Sequence, residues 1–167
     1  MATFSPNLES SQQRWQTIVC LTLGFWLSAC VILDLLIMPT MYAAGMMNGP
    51  DFAVAGSMMF SVFNRVELLC AGLGLTSLLV LSATPNNFIK KSNTAIIFSI
   101  ILLAIALIDT YGLTPQMTAL GINLNLFESV NEVPTAMNQM HGGYWLLEVI
   151  KLVIGGTLLG WCYRNQD

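Results

Sequence analysis

Along the chain, apolar residues gather into four long stretches separated by short polar segments. The first runs from about Thr17 to Met38 and stops at Pro39; the second covers about Ser57 to Leu81, ahead of Thr84-Pro85-Asn86-Asn87. The third extends from about Thr94 to Leu113, ahead of Pro115, and the last spans about Gly142 to Cys162. A helix needs ~20 largely apolar residues to cross a bilayer, and a proline just past the end suits a helix that must stop there. The pattern predicts an all-α, integral membrane four-helix bundle in a single domain, with polar tails at residues 1–16 and 163–167. The third connection, Thr114 to His141, is long for so small a protein. Its Leu120, Ile122, Leu124, Leu126 and Phe127 predict an amphipathic or re-entrant piece on the outer surface. No sequence repeat is evident.

Composition supports a membrane protein. The 167 residues are 55% hydrophobic and 9% charged, against roughly 25% charged in an ordinary soluble domain, and the mean hydropathy is +0.68. The net charge of -3 and the lack of any basic run argue against nucleic acid as a partner. The lipid bilayer is the expected environment, a bacterial plasma membrane or an organellar or thylakoid membrane. Leu27-Ser28-Ala29-Cys30 looks like a lipoprotein cleavage box, but the apolar run continues to Met38 and three more follow, so a retained helix is expected.

The basic residues outside the spans set an orientation. Arg14, Lys90, Lys91 and Arg164 lie in the tails and the second loop, whereas the first and third loops carry only Asp51, Glu128 and Glu132. The positive-inside rule then places both termini on the cytoplasmic face or its stromal or matrix equivalent. Trp15, Trp161 and Tyr163 mark the inner interface, and Tyr42, Tyr111, Tyr144 and Trp145 the outer one.

Six charged residues fall inside the spans: Asp34, Arg65, Glu67, Asp109, Glu148 and Lys151. Charges in lipid are costly, so they pair, face the bundle interior or mark a path for ions. Measured from the expected outer ends of the four spans, all six belong to the outer half of the bilayer. Glu148 and Lys151 stand at i,i+3 and pair directly, on a stripe with His141, Tyr144 and Gly155. Arg65 is about 200° from Glu67 around the second helix. Glu67 is therefore assigned to the interior, and Arg65 to an adjacent helix or the outer surface. Four acids against two bases leave an excess carboxylate even with His141 protonated, which is expected to take up a proton or a cation.

Methionines add a possible ligand type. Nine of the ten lie at or beyond the outer edge, and Met137-x-x-Met140-His141 places two thioethers beside an imidazole. Thioethers favour Cu(I), so a metal cation such as copper is the candidate cofactor, with Met137, Met140, His141, Glu67 and Glu148 as candidate ligands. Methionines filling gaps under loops are the plainer alternative. His141 is the single histidine, which excludes a bis-His haem within one chain. Cys20, Cys30, Cys70 and Cys162 form no metal-type spacing and read as small packing residues. No nucleotide-binding, hydrolase or metalloprotease motif occurs, so no catalytic residue is assigned and an enzyme is not expected. Gly156 and Gly160 form a GxxxG pattern, the mark of a close helix contact within the bundle or between copies.

Met58-Met59-Phe60-Ser61-Val62-Phe63, Asp109-Thr110-Tyr111-Gly112-Leu113-Thr114-Pro115 and His141-Gly142-Gly143 occur in an order that resembles the transmembrane protein 205-like family. That resemblance runs from about Leu21 to Gly160. It implies a four-helix membrane bundle and carries no established reaction. The expected function is small-cation or proton binding, or transport, through an outward-facing charged cluster. The alternative is a non-catalytic scaffold or assembly subunit, with a second copy or a larger membrane complex as partner.

Overall fold

Long apolar segments with no interior polar periodicity fold as helices that bury one stripe against each other and leave the rest to lipid. The computed structural model describes residues 6–45, 52–83, 92–127 and 135–164. Its helices are α1 (Pro6–Val31), α2 (Met38–Ala43), α3 (Phe52–Ser82), α4 (Ser92–Ile108), α5 (Thr114–Phe127) and α6 (Thr135–Arg164). One wide π-helical turn, Ile32–Ile37, joins α1 to α2, and another, Asp109–Leu113, joins α4 to α5. The chain thus makes four helical columns, each containing a stretch long and apolar enough to cross a membrane: Ser11–Met41, Val54–Ser82, Asn93–Gly121 and Gln139–Arg164.

The columns form a ring in chain order. α1 packs on α3 and α6, and α4 packs on the same two helices from the other side. The core is lined by Val19, Leu23, Trp26 and Cys30 of α1, spaced at helical steps, against Ala71, Leu78, Leu102, Ala106 and Leu158. At one end Gln16 Nε2 donates to the Cys162 carbonyl at 3.1 Å, so the start of α1 and the end of α6 share a face, the terminal side. Large side chains such as Leu21 and Leu69, each 68% exposed, cover the outer surface. An apolar exterior of this kind marks a surface suited to lipid or to other apolar partners.

Three expectations require correction. Pro39 and Pro115 do not stop their helices; the chain passes both and continues as α2 and α5. A proline ring collides with the carbonyl four residues earlier, here Leu35 and Tyr111, and both fall inside the π-turns. In those turns the bonds run five residues back, from the Met38 N–H to the Leu33 carbonyl and from the Thr114 N–H to the Asp109 carbonyl. The wider turn accommodates the ring. Second, Leu120 belongs to a continuation of the third column rather than a surface loop, and the fourth column starts at Thr135, ahead of His141. Third, the first helix starts at Pro6, within the expected tail; proline suits a first helical position because its missing N–H has no partner there. Met46, Met47, Asp51, Lys90, Lys91, Glu128 and Glu132 lie outside the described residues, as does the side chain of Met137.

Gly155 sets the approach of α6 to α1. A Cβ at this position would sit 2.8 Å from Leu27 Cδ2, whereas none at Gly156 or Gly160 would meet an atom within 4 Å. The GxxxG pair is exposed and takes no part in packing inside the bundle. Gly155→Ala is expected to cost about 1–3 kcal/mol by overpacking, read as a lower unfolding temperature in detergent. Gly156→Ala should leave that temperature unchanged, and equal effects from both would refute this assignment of the contact.

Candidate functional site: four carboxyls around one lysine

The longer columns change the depth of the embedded charges. Glu67, Asp109 and Lys151 stand within about two residues of the midpoints of the apolar stretches Val54–Ser82, Asn93–Gly121 and Gln139–Arg164. The expected outer-half placement is therefore corrected to mid-span, and Asp109 moves most, because its helix continues past Pro115; Glu67 and Lys151 already fell within about two residues of the middle of the expected spans 57–81 and 142–162. Asp34 lies nearer the far end of its column, inside the first π-turn, and Asp109 opens the second.

Five of the six embedded charges meet. The Lys151 ammonium is 2.9 Å from Glu67 Oε1, 3.1 Å from Asp109 Oδ2 and in contact with Glu148 Oε1. Lys151 and Glu67 are each 1% exposed and Asp109 is fully buried. The Tyr144 hydroxyl donates to Asp34 Oδ1 at 3.2 Å, and both Asp34 and Tyr144 lie beside the Glu148 carboxyl. The Tyr144 ring also faces the ammonium, 5.9 Å from its centroid, and Phe60 steadies that ring edge-on at 5.7 Å. Asn64 Nδ2 donates to Thr114 Oγ1 at 2.6 Å, tying α3 to the end of the second π-turn.

Glu67 is the best-satisfied acid. Its Oε1 accepts from the Trp26 indole at 2.9 Å, the Cys30 thiol at 3.2 Å and Lys151, and its Oε2 accepts from Lys151 at 3.0 Å. By contrast, Asp34 Oδ2, Asp109 Oδ1 and Glu148 Oε2 are buried with no hydrogen-bond donor among the described residues. Were every carboxyl ionised, four negative charges would face one positive charge, an excess of three. Uncompensated charge costs several kcal/mol per ion away from water, so the cluster is chemically suited to hold further positive charge, as protons or a cation.

Arg65 does not join; it is exposed on the opposite face of α3. His141 is also exposed, about 10 Å along α6 from Glu148, and Met140 is half-buried on that same outer turn. The expected metal set of Met137, Met140, His141, Glu67 and Glu148 is therefore not assembled by the described side chains. Among the described residues the compact group of potential metal ligands is instead Cys30, Glu67 and Glu148, with ligand atoms within 4.8 Å of one another. This trio offers one sulfur and two hard carboxylates, a poor match to the soft donors copper(I) prefers. Its two carboxylates are already bridged by the Lys151 ammonium.

Trp26 and Cys30 were not among the candidate site residues. One signal for them exists in the chain: a tryptophan in mid-span, away from either interface, needs a buried acceptor for its N–H. Trp26, Cys30 and Asp34 also follow at four-residue steps on one helix.

On the terminal side of the cluster the next buried positions include Leu23, Cys70, Ala71, Gly74, Leu102, Ile105, Ala106 and Gly155. The nearest buried hydroxyl in that direction on α3, Ser77, is about 15 Å from Glu67. On the loop side, Asn64, Thr114 and Tyr144 continue the polar lining.

Compared with known proteins, the chain matches no family model, no curated protein and no solved structure.

Proposed function

We propose that this chain is a multi-pass membrane protein that binds protons or another small cation in its charged cluster and passes them toward the loop side. The observation that carries this reading is the imbalance around Lys151, four buried carboxyls sharing a single ammonium. A scaffold needs matched pairs, and charge surplus near the middle of a span destabilises a fold that does not use it. Many secondary transporters likewise keep their coupling-ion sites near the bilayer midplane. The polar lining on the loop side and the apolar layer beneath support access from one face. With both termini cytoplasmic, as the Lys/Arg distribution supports, that access is from the outer side. The membrane is a bacterial plasma membrane or an organellar one. The resemblance to the transmembrane protein 205-like family fits the bundle and adds no reaction.

The assembly-subunit reading has one observation in its favour. Gly156 and Gly160 form a shallow strip on the lipid-facing side of α6, which suits a neighbouring helix.

The test is proton flux into liposomes holding the purified protein, driven by an imposed membrane potential and read with an internal pH dye. Wild type and Arg65→Gln are expected to acidify the lumen at equal rates, and Glu148→Gln to fall at least about tenfold. Flux in Glu148→Gln equal to wild type, or wild-type flux no faster than empty liposomes, would reject the reading.

A further inference from the structure

Arg65 is the embedded charge that the cluster leaves out. Among the described residues it is the one charged side chain exposed away from the ends of the four apolar stretches, and it makes no hydrogen bond or ion pair with any of them. Met58, Val62, Leu69 and Leu73 share its side of α3 at steps of three and four residues, and all are exposed. The same helical geometry turns Asn64, Glu67, Ala71 and Gly74 into the bundle. A guanidinium thus stands in the middle of a lipid-facing apolar stripe.

Its depth makes that position costly. Arg65 lies three residues before position 68, the midpoint of Val54–Ser82, or about 5 Å toward the loop side. In a hydrocarbon core ~30 Å thick the nearer headgroup boundary is then about 10 Å from its Cα, farther than the arginine stem extends. Snorkelling covers only part of that distance. Arginine does not give up its proton in proteins, so it has no neutral form to fall back on. A charge so placed calls for a counter-charge.

Neither this chain nor a second copy supplies one at that depth. The acids within the four apolar stretches are Asp34, Glu67, Asp109 and Glu148, and all four are buried in the cluster. A copy laid against α3 would therefore bring no carboxylate to Arg65.

We infer that the lipid-facing side of α3 docks a spanning helix of a different protein, one that carries an aspartate or glutamate level with Arg65. Met58, Val62, Leu69 and Leu73 supply the apolar contacts on either side of the pair. The guanidinium holds a carboxylate through two parallel N–H donors, and such a pair fixes the register of the partner and excludes partners without an acid. Helical side chains lean toward the N-terminus, so the partner's carboxylate belongs on the loop side of the Arg65 Cα, toward Val62. This surface faces away from the cluster, and the inference holds whether or not the cluster passes protons.

The probe is a synthetic helix of about 22 leucines and alanines, long enough to span, with lysine ends and one glutamate a turn from its middle. It carries a fluorescence acceptor and is reconstituted with donor-labelled protein in phosphatidylcholine liposomes. Energy transfer is expected to show it associating with wild type at least about tenfold more tightly than the same helix carrying glutamine. Arg65→Gln should lose that preference, and Arg65→Lys should keep part of it. In native membranes, a photo-reactive amino acid substituted at Leu69 should cross-link a protein whose spanning segment contains an acid, and adding Arg65→Gln should abolish the cross-link. Equal association of the two synthetic helices with wild type, or an unchanged preference in Arg65→Gln, overturns the inference. So does a native cross-link only to lipid, to a second copy or to a helix without an acid.

Discussion

Replacing Lys151 by methionine is expected to destabilise the bundle by about 3–5 kcal/mol, the usual cost of removing one partner from a buried ion pair. The variant has similar length and fills similar space, so packing contributes little. What changes is electrostatic: Glu67, Asp109 and Glu148 lose the one positive charge that touches all three. The measurement is unfolding in mild detergent, by temperature or by titration with a denaturing detergent. The double variant Lys151→Met/Glu67→Gln should recover a substantial part of the loss, since it removes one of the carboxylates left behind. If Lys151→Met unfolds as wild type does, the ammonium is not what holds the four columns together at this level.

The opposite sign is expected for the acids on the other side of the cluster. Asp34→Asn and Glu148→Gln remove carboxyls with unpartnered oxygens from a site already in negative excess. Their unfolding temperatures should equal or exceed that of wild type, while Glu148→Gln loses proton flux. Glu67→Gln should behave differently, because Glu67 accepts from Trp26, Cys30 and Lys151 together and an amide nitrogen cannot accept. A loss of stability on neutralising Glu148 comparable with that of Glu67→Gln would favour a purely structural network. A gain of stability coupled to lost flux is the trade-off expected of a working site.

Much of the bundle was legible in the chain because lipid imposes so strong a constraint. Four apolar runs can only be helices there, and the 100° step per residue separated Glu67 from Arg65 without any coordinates. The Glu148–Lys151 pair followed from the same arithmetic. Depth was not legible, because Pro39 and Pro115 read as stops and π-turns have no composition of their own. Once the third column continues past Pro115, Asp109 moves to the middle of its span, level with Glu67 and Lys151. Trp26 and Cys30 were hidden for another reason: their partner Glu67 is on a different column, and only packing brings an indole or thiol to a carboxylate. The methionine-rich outer edge invited a metal reading that the described side chains do not assemble.

The length of the columns has a consequence for the host membrane. Apolar stretches of 26 to 31 residues measure about 39–46 Å as straight helices, well beyond a hydrocarbon core of ~30 Å. Such a mismatch is relieved by leaning the columns or by thickening the surrounding lipid. The tilt of the four columns, and with it the aqueous reach of Tyr144 and Asn64, is thereby coupled to acyl-chain length, and thin and thick bilayers should favour different postures of the same bundle.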